Sequence, residues 1–359
     1  MGRYISPTLF SYRERIQING EHISREDFAQ LAGQVSDAVD RMKEQGMALP
    51  TVFEIETAVS FLYFCRKNCD FVLLEVGLGG RLDATNVIRT PVLSVIASVS
   101  MDHMEYLGNT LAEIAWNKAG IIKPGVPVVS ASQKEEAAGV IRKEAEDKKS
   151  PCTFVDMDQV TDIEYGLERQ YFTYEEFGRI AISLAGLHQI GNAALALTCI
   201  RVLRTLGYVI PDGAVSTGMA ETVWRGRFTV IHRDPTVIMD GAHNPDAALR
   251  LREALEQYFP EQKKYFIFGV FSDKEYDKII DITAPLAEHI FTIETPDNPR
   301  ALPSEELARA VSRVNPSVEA CASIPDAVGR AYALAKENDV IVAFGSLSFL
   351  GAIEQAVQK

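Results

Sequence analysis

Beyond about residue 225 the chain alternates short apolar runs with segments of helix length. Thr236–Met239, Tyr265–Phe268, Ile290–Ile293 and Val340–Phe344 are apolar throughout or nearly so, and such unbroken runs mark strands buried on both faces of a parallel sheet. The intervening segments open with helix-start chemistry, an Asn244 cap before Pro245 and the stretch Pro303 to Glu306, so this half is expected to form a small doubly wound α/β domain.

The pattern before residue 225 is mixed. Ser24 followed by Asp27 starts a helix expected to reach about Gln45, and a second helix should precede Asp70. Continuous apolar runs at Phe71–Val76, Val92–Ala97 and Val126–Ser130 predict further buried parallel strands. Residues 150–185 alternate in short patches and predict an antiparallel excursion, after which a helix spans about His188 to Leu206. The stretch Trp224-Arg225-Gly226-Arg227 is the expected joint, which divides the chain into residues 1–224 and 225–359.

Composition narrows the partners. The 359 residues are 47% hydrophobic and 24% charged, an ordinary globular balance, and a formal net charge of −13 disfavours nucleic acid. The five cysteines are odd in number and nowhere spaced C-x-x-C, so reduced thiols are expected rather than disulfides or a zinc site. The longest uncharged stretch, Val340 to Ile353, is shorter than the roughly 18–20 residues that span a bilayer. A cytoplasmic monomer with no membrane partner is the expectation.

In a parallel sheet ligands gather beyond the carboxyl ends of the strands, so the residues following each apolar run come first. Glu75 ends one run and opens the glycine-rich turn EVGLGGRLDATN (residues 75–86). A carboxylate in a buried strand is costly unless paired or bound to a metal. The next run ends in Ser100-Met101-Asp102-His103, and carboxylate plus imidazole plus water suits Mg²⁺ or Mn²⁺. Lys118, followed by Ala-Gly-Ile-Ile, reads by composition as a snorkelling surface lysine. In the second half VIMDGAHNP (residues 237–245) is strand, tight turn and helix N-terminus, with Asp240 and His243 expected to face a cleft between the domains. Arg225 and Arg227 lie at the joint, and Lys274 and Ser346 follow two more strands.

Taken together, the run after Glu75, Asp102-His103 with Leu107-Gly108, KAGIIK (118–123), Gly186-Leu-His-Gln189 with Asn192, Gly226-Arg227-Phe228 and DGAHNP (240–245) resemble the folylpolyglutamate synthase/dihydrofolate synthase family of Mur ligases. The resemblance implies a Mur-ligase-like ATP-binding domain followed by a smaller Rossmann-like glutamate-ligase domain. It implies ATP and Mg²⁺ as cofactors, and folate or dihydropteroate and L-glutamate as substrates. The substrate carboxylate would be phosphorylated and the acyl phosphate attacked by the glutamate amine. By the same resemblance Glu75 and His103 are Mg²⁺ ligands, and Lys118 is carbamylated to hold a second metal. Asn192 contacts adenine, Arg227 phosphate and Asp240 ribose. His243, Lys274 and Ser346 lie on the glutamate side, and Ser6 with Arg15 on the folate side.

The chain departs from the family pattern at four places. Ser6-Pro7-Thr8-Leu9 lacks a folate-side histidine, Arg225 stands where a proline is expected and Asn117 where a glutamate is expected. The fourth is the Gly-x-x-Gly-Lys-Ser phosphate loop, since no Gly-Lys dipeptide occurs in the sequence. The expectation is therefore an N-terminally truncated ligase, inactive in this form. The competing readings are a catalytically dead homologue that binds folate or a partner, and a Mur-type amide ligase with another acceptor.

Overall fold

The computed structural model describes residues 1–358. Its first elements are strand β1 (Gly2–Tyr4), strands β2 (Ile16–Ile18) and β3 (Glu21–His22), helices α1 (Arg25–Glu44) and α2 (Val52–Arg66), and strand β4 (Val72–Leu74). Strand β5 (Ser94–Ile96), helices α3 (Met104–Leu107) and α4 (Leu111–Ala119), strand β6 (Val128–Ser130), helix α5 (Glu135–Asp147) and strand β7 (Cys152–Phe154) follow. Next come strands β8 (Val160–Glu164), β9 (Gln170–Tyr174) and β10 (Arg179–Ile182) and helices α6 (His188–Thr205) and α7 (Asp212–Glu221). The last stretch holds β11 (Thr229–His232), β12 (Thr236–Met239), α8 (Pro245–Tyr258), β13 (Lys264–Phe268), α9 (Tyr276–Thr283), β14 (His289–Thr292), α10 (Ser304–Val311), β15 (Val318–Ala320), α11 (Ile324–Leu334), β16 (Val340–Phe344) and α12 (Leu350–Val357).

Contacts divide the chain into two compact units: residues 1–94, 103–128 and 135–151 form one, and residues 95–102, 129–134 and 152–359 the other. This division assigns residues 95–102, 129–134 and 152–224 differently from a cut at 224/225. The reason is visible in the packing, where Ala185 shares a core with Phe228 and Ile238 and Gly186 N donates to the Tyr258 hydroxyl at 3.2 Å.

In the first unit β3-β2-β1-β4 form one sheet, antiparallel except for the β1–β4 pair. Tyr4, Ile16, Leu31, Val59, Tyr63 and Phe64 join this sheet to α1 and α2. Both helices start as their sequences require: the Ser24 side chain accepts from Asp27 N, and Thr51 and Glu54 cap each other. The run Phe71–Val76 behaves differently from the buried strand expected. Only Val72–Leu74 pairs, it pairs with β1 alone, and Leu73 is 56% exposed. Nor is β4 a neighbour of β5, which sits in the separate sheet β5-β6-β7.

The second unit contains the antiparallel sheet β10-β9-β8 and the six-stranded sheet β11-β12-β16-β13-β14-β15. In the larger sheet only the β11–β12 pair is antiparallel. Its central strands β13 and β16 are buried at every position, so each needs apolar side chains on both faces. On one face Ile238, Phe266, Phe268, Ile290, Val342 and Phe344 share a cluster with residues of α8, α9 and α10. On the other, α11 packs on β13 and β14 and α12 on β16. Alternate residues thus serve opposite layers, as strand pleating dictates.

One close approach explains a pair of sequence motifs in the first unit. Arg81 N donates to Asn117 O at 2.8 Å, which lays the glycine-rich turn on the end of α4, and a Cβ on Gly120 would lie 2.3 Å from Arg81 Cβ. Gly120→Ala is therefore expected to destabilise this unit by about 3 kcal/mol, within the range for overpacking. Urea unfolding against the parent chain measures it, and a change below about 0.5 kcal/mol would show that the turn relaxes freely.

Candidate active site

Two groups of polar side chains occupy strand ends, one in each unit. In the first, Glu75 follows β4. Its backbone N donates to Tyr4 O at 2.9 Å and its Oε2 accepts from Ser6 N at 2.9 Å. Glu75 is exposed, so the burial cost expected for it in a core strand does not arise, and its case for a role rests on position and chemistry. The turn beyond it is folded by Asp83, whose Oδ2 accepts from Gly77 N at 3.0 Å and Leu78 N at 2.9 Å while Oδ1 accepts from Thr85 N at 2.9 Å. Arg81 leaves this turn, lies 3.9 Å from the centre of the Trp116 ring and pairs with Glu144 at 3.1 Å.

Lys118 is partly buried in the last turn of α4. His103 is exposed and caps α3 from a left-handed backbone, φ 51°, a conformation that histidine visits more readily than bulky or β-branched residues. Glu75, His103 and Lys118 all belong to the first unit. Among the described residues no group of three or more His, Cys, Asp or Glu side chains is placed to hold a metal. A carboxylate and an imidazole nonetheless match the way Mg²⁺ binds, through one or two protein ligands with water and phosphate oxygens completing the shell.

Arg15 meets Glu56 rather than open solvent, with Nη1 3.2 Å from Oε2 and the guanidinium 5.3 Å from the Tyr12 ring centre. The Tyr12 hydroxyl also donates to Glu56. Burial pushes the Glu56 carboxyl up to about 6, even with Arg15 beside it.

In the second unit Asp240 follows β12 and is buried. Its Oδ2 accepts from Phe228 N and its Oδ1 from Ala242 N, both at 2.8 Å. Burial raises its pKa, while Arg227 and those two amides pull the other way. Asp240 thus pins the residue after Arg227 to the turn before His243. Each carboxylate oxygen retains a second lone pair.

His243 Nδ1 lies 2.7 Å from Gly241 O. A carbonyl only accepts, so Nδ1 carries the proton and Nε2 presents a lone pair. Burial lowers the His243 pKa, which favours this neutral form. Nε2 is 3.8 Å from Asp102 Oδ2. The same Asp102 oxygen accepts from Asn244 Nδ2 at 2.8 Å, and Lys274 Nζ is 3.6 Å from Oδ1. Asn244 also caps α8 through Oδ1 to Ala247 N at 2.8 Å. A carboxylate beside an unprotonated imidazole nitrogen suits an ammonium group: one attracts the charge and the other can accept a proton.

The structure brings His243 and Lys274 together around Asp102, and Arg227 to Asp240 through Gly226, whose O accepts from Gly241 N at 2.8 Å. Ser346 is buried where the chain leaves β16, its Oγ 2.7 Å from Ser348 Oγ. Asn192 is exposed on α6 and donates to Gln189 Oε1 at 3.0 Å. In the sequence Asp102 reads only as the neighbour of His103, and Asn244 only as a helix cap. The signal for Asp102 was its place after an apolar run, and only the fold shows that it meets the DGAHNP turn.

Two family profiles match this arrangement: the Mur ligase middle domain over residues 29–200 and the Mur ligase glutamate ligase domain over residues 226–347. The chain is 36% identical over 366 aligned residues to the dihydrofolate synthase/folylpolyglutamate synthase of Bacillus subtilis, covering 100% of this chain and 84% of the relative. Among solved structures, Mycobacterium tuberculosis folylpolyglutamate synthase complexed with ADP superposes with a TM-score of 0.91 at 30% identity, over 100% of this chain and 84% of that one. E. coli FolC in complex with DHPP and ADP gives a TM-score of 0.86 at 25% identity, over 99% and 81%. Fold and sequence make this a Mur-type ligase. Within that class, the chain belongs to the folylpolyglutamate synthase/dihydrofolate synthase family. Among the described residues no helix is long and apolar enough to cross a membrane.

Proposed function

We propose that the protein ligates L-glutamate to the carboxylate of a folate or a dihydropteroate, driven by ATP through an acyl phosphate. The observation that carries the reading is the cluster of His243, Asn244 and Lys274 around Asp102, which offers an amine nucleophile both an attracting charge and a proton acceptor. The relatives add support through what they were solved with, ADP in one and DHPP with ADP in another. Asn192 is assigned to adenine, Asp240 to ribose, Arg227 to phosphate, and His243, Lys274 and Ser346 to the glutamate side. Ser6 and Arg15 are assigned to the folate side. Cytoplasmic location and a monomeric state belong to the same proposal, as does the division at residues 1–224 and 225–359.

Glu75 and His103 would hold Mg²⁺, with Lys118 as a carbamate holding a second ion. A bound ion would neutralise the phosphoryl group in transfer. The residues of the chain would do the rest: Arg227 holds phosphate oxygens, Asp240 fixes the turn that carries His243, and His243 Nε2 takes a proton from the amine.

The test is glutamate- and folate-dependent release of phosphate from ATP, measured in a form that carries a phosphate loop. Glu75→Gln in that form should lower turnover about 100-fold and raise the Mg²⁺ concentration at half-maximal rate. An unchanged Mg²⁺ titration would remove Glu75 from the metal site. Phosphate release that depends on another acid or another amino acid would point to a different Mur-type ligation.

A further inference from the structure

We infer that Gln189, braced by His188, fixes which way the Asn192 carboxamide faces and thereby makes this residue select adenine over guanine. The inference rests on the assignment of Asn192 to the nucleobase. Residues three and four apart are neighbours on a helix surface, so Asn192 lies over both Gln189 and His188 at the start of α6. Gln189 Nε2 is 3.2 Å from His188 Nε2, and Asn192 Nδ2 donates to Gln189 Oε1 at 3.0 Å. Gln189 is buried at 6% exposure, whereas Asn192 is exposed.

The donors and acceptors along this chain have one consistent order. Burial, with Arg250 and Arg227 nearby and opposed by Asp246, lowers His188 to about 4, so its ring is neutral at physiological pH. An amide nitrogen can only donate, so His188 Nε2 is the acceptor and the ring proton sits on Nδ1, a buried atom with no hydrogen-bond partner. Gln189 must then turn Oε1 toward Asn192, and Asn192 must turn an N–H toward Gln189. What remains at the exposed end is the Asn192 carbonyl oxygen and its second N–H. The backbone leading into His188 is itself held: Gly186 O accepts from Gln170 Nε2 at 3.0 Å, Gly186 N donates to the Tyr258 hydroxyl at 3.2 Å, and that hydroxyl donates to Gln170 Oε1 at 3.0 Å.

A carbonyl beside an N–H matches the edge of adenine, whose 6-amino group donates beside a ring nitrogen that accepts. Guanine carries an oxygen at that position and would require Asn192 to reverse. Reversal sets the Asn192 oxygen against Gln189 Oε1, and relieving that clash requires Gln189 and the imidazole tautomer to change together. A lone exposed asparagine would pivot for either base. This one is coupled to a buried amide and a half-buried ring whose Nδ1 is shut off from solvent.

The experiment is calorimetric titration of the full chain with ADP and with GDP. The parent should bind ADP at least about 10-fold more tightly than GDP, in line with one paired base contact. Gln189→Leu should bring the two affinities within about 3-fold. Gln189→Glu keeps an acceptor toward Asn192 and should retain the parent's ratio, even where added negative charge weakens both nucleotides alike. Should Leu at 189 unfold the chain, His188→Phe carries the same expectation of a collapsed ratio. An unchanged ADP-to-GDP ratio in Gln189→Leu, or in His188→Phe where the first does not fold, overturns the relay and leaves the nucleotide reading standing. A parent that binds neither nucleotide overturns both. A merely structural role would weaken ADP and GDP equally, and that result also overturns the relay.

Discussion

Ligation by these 359 residues on their own should be undetectable, and a form that also carries a strand, a Gly-x-x-Gly-Lys-Ser loop and a helix should exceed it by about 1000-fold or more. Phosphoryl transfer gains nearly all of its acceleration from positioning and charge stabilisation, and no Gly-Lys dipeptide lies anywhere in the sequence to supply a lysine-bearing cradle. The cluster around Asp102 would still receive an amine, but without a loop to fix the γ-phosphoryl group in line there would be no acyl phosphate for it to attack. Phosphate release is measured for the two forms side by side with glutamate and folate present. Equal rates would refute the requirement for the loop and would mean that other residues hold the triphosphate.

Removing the Lys118 side chain from the loop-bearing form should cost about 100-fold in turnover or more, with partial recovery on adding acetate. Lys118 occupies the last turn of α4, where the helix dipole favours a cation and disfavours the negative carbamate. A carbamate there needs neighbouring metal ions to stabilise it, and an unmodified ammonium would repel those ions. Modification of Lys118 should therefore depend on both bicarbonate and divalent metal. Lys118→Ala with acetate from about 10 to 200 mM is the direct comparison. Failure of any small carboxylate to raise the rate would leave Lys118 as an ordinary lysine.

The second half was readable from sequence because its strands are buried on both faces. Thr236–Met239 and Val340–Phe344 match β12 and β16 end to end, and the Asn244 cap accepts from Ala247 N as expected. The edge strands β11 and β15 escaped notice, since a strand with one neighbour needs no long apolar run. The same logic inverted misled at Phe71–Val76, where an apolar run of the buried type lies at a sheet edge. The β1–β2–β3 meander went unseen because each strand has only two or three residues, too few for a period to register. At the site, residues next to one another in sequence were legible as motifs. The meeting of Asp102 with His243, Asn244 and Lys274 was not, because it joins segments more than 130 residues apart.

The stacking of Arg81 on Trp116 also gives the chain an optical handle. The sequence has two tryptophans, and they fall one to each compact unit, Trp116 in the first and Trp224 in the second. A guanidinium 3.9 Å from an indole centre perturbs the emission of that ring, and Arg81 is part of the same turn that begins at Glu75. With Trp224 replaced by phenylalanine, the remaining fluorescence therefore reports the state of the glycine-rich turn, and the converse replacement reports the joint before Arg225. Each half of the enzyme can thus be followed separately, through the emission of the one tryptophan that each of these two variants retains.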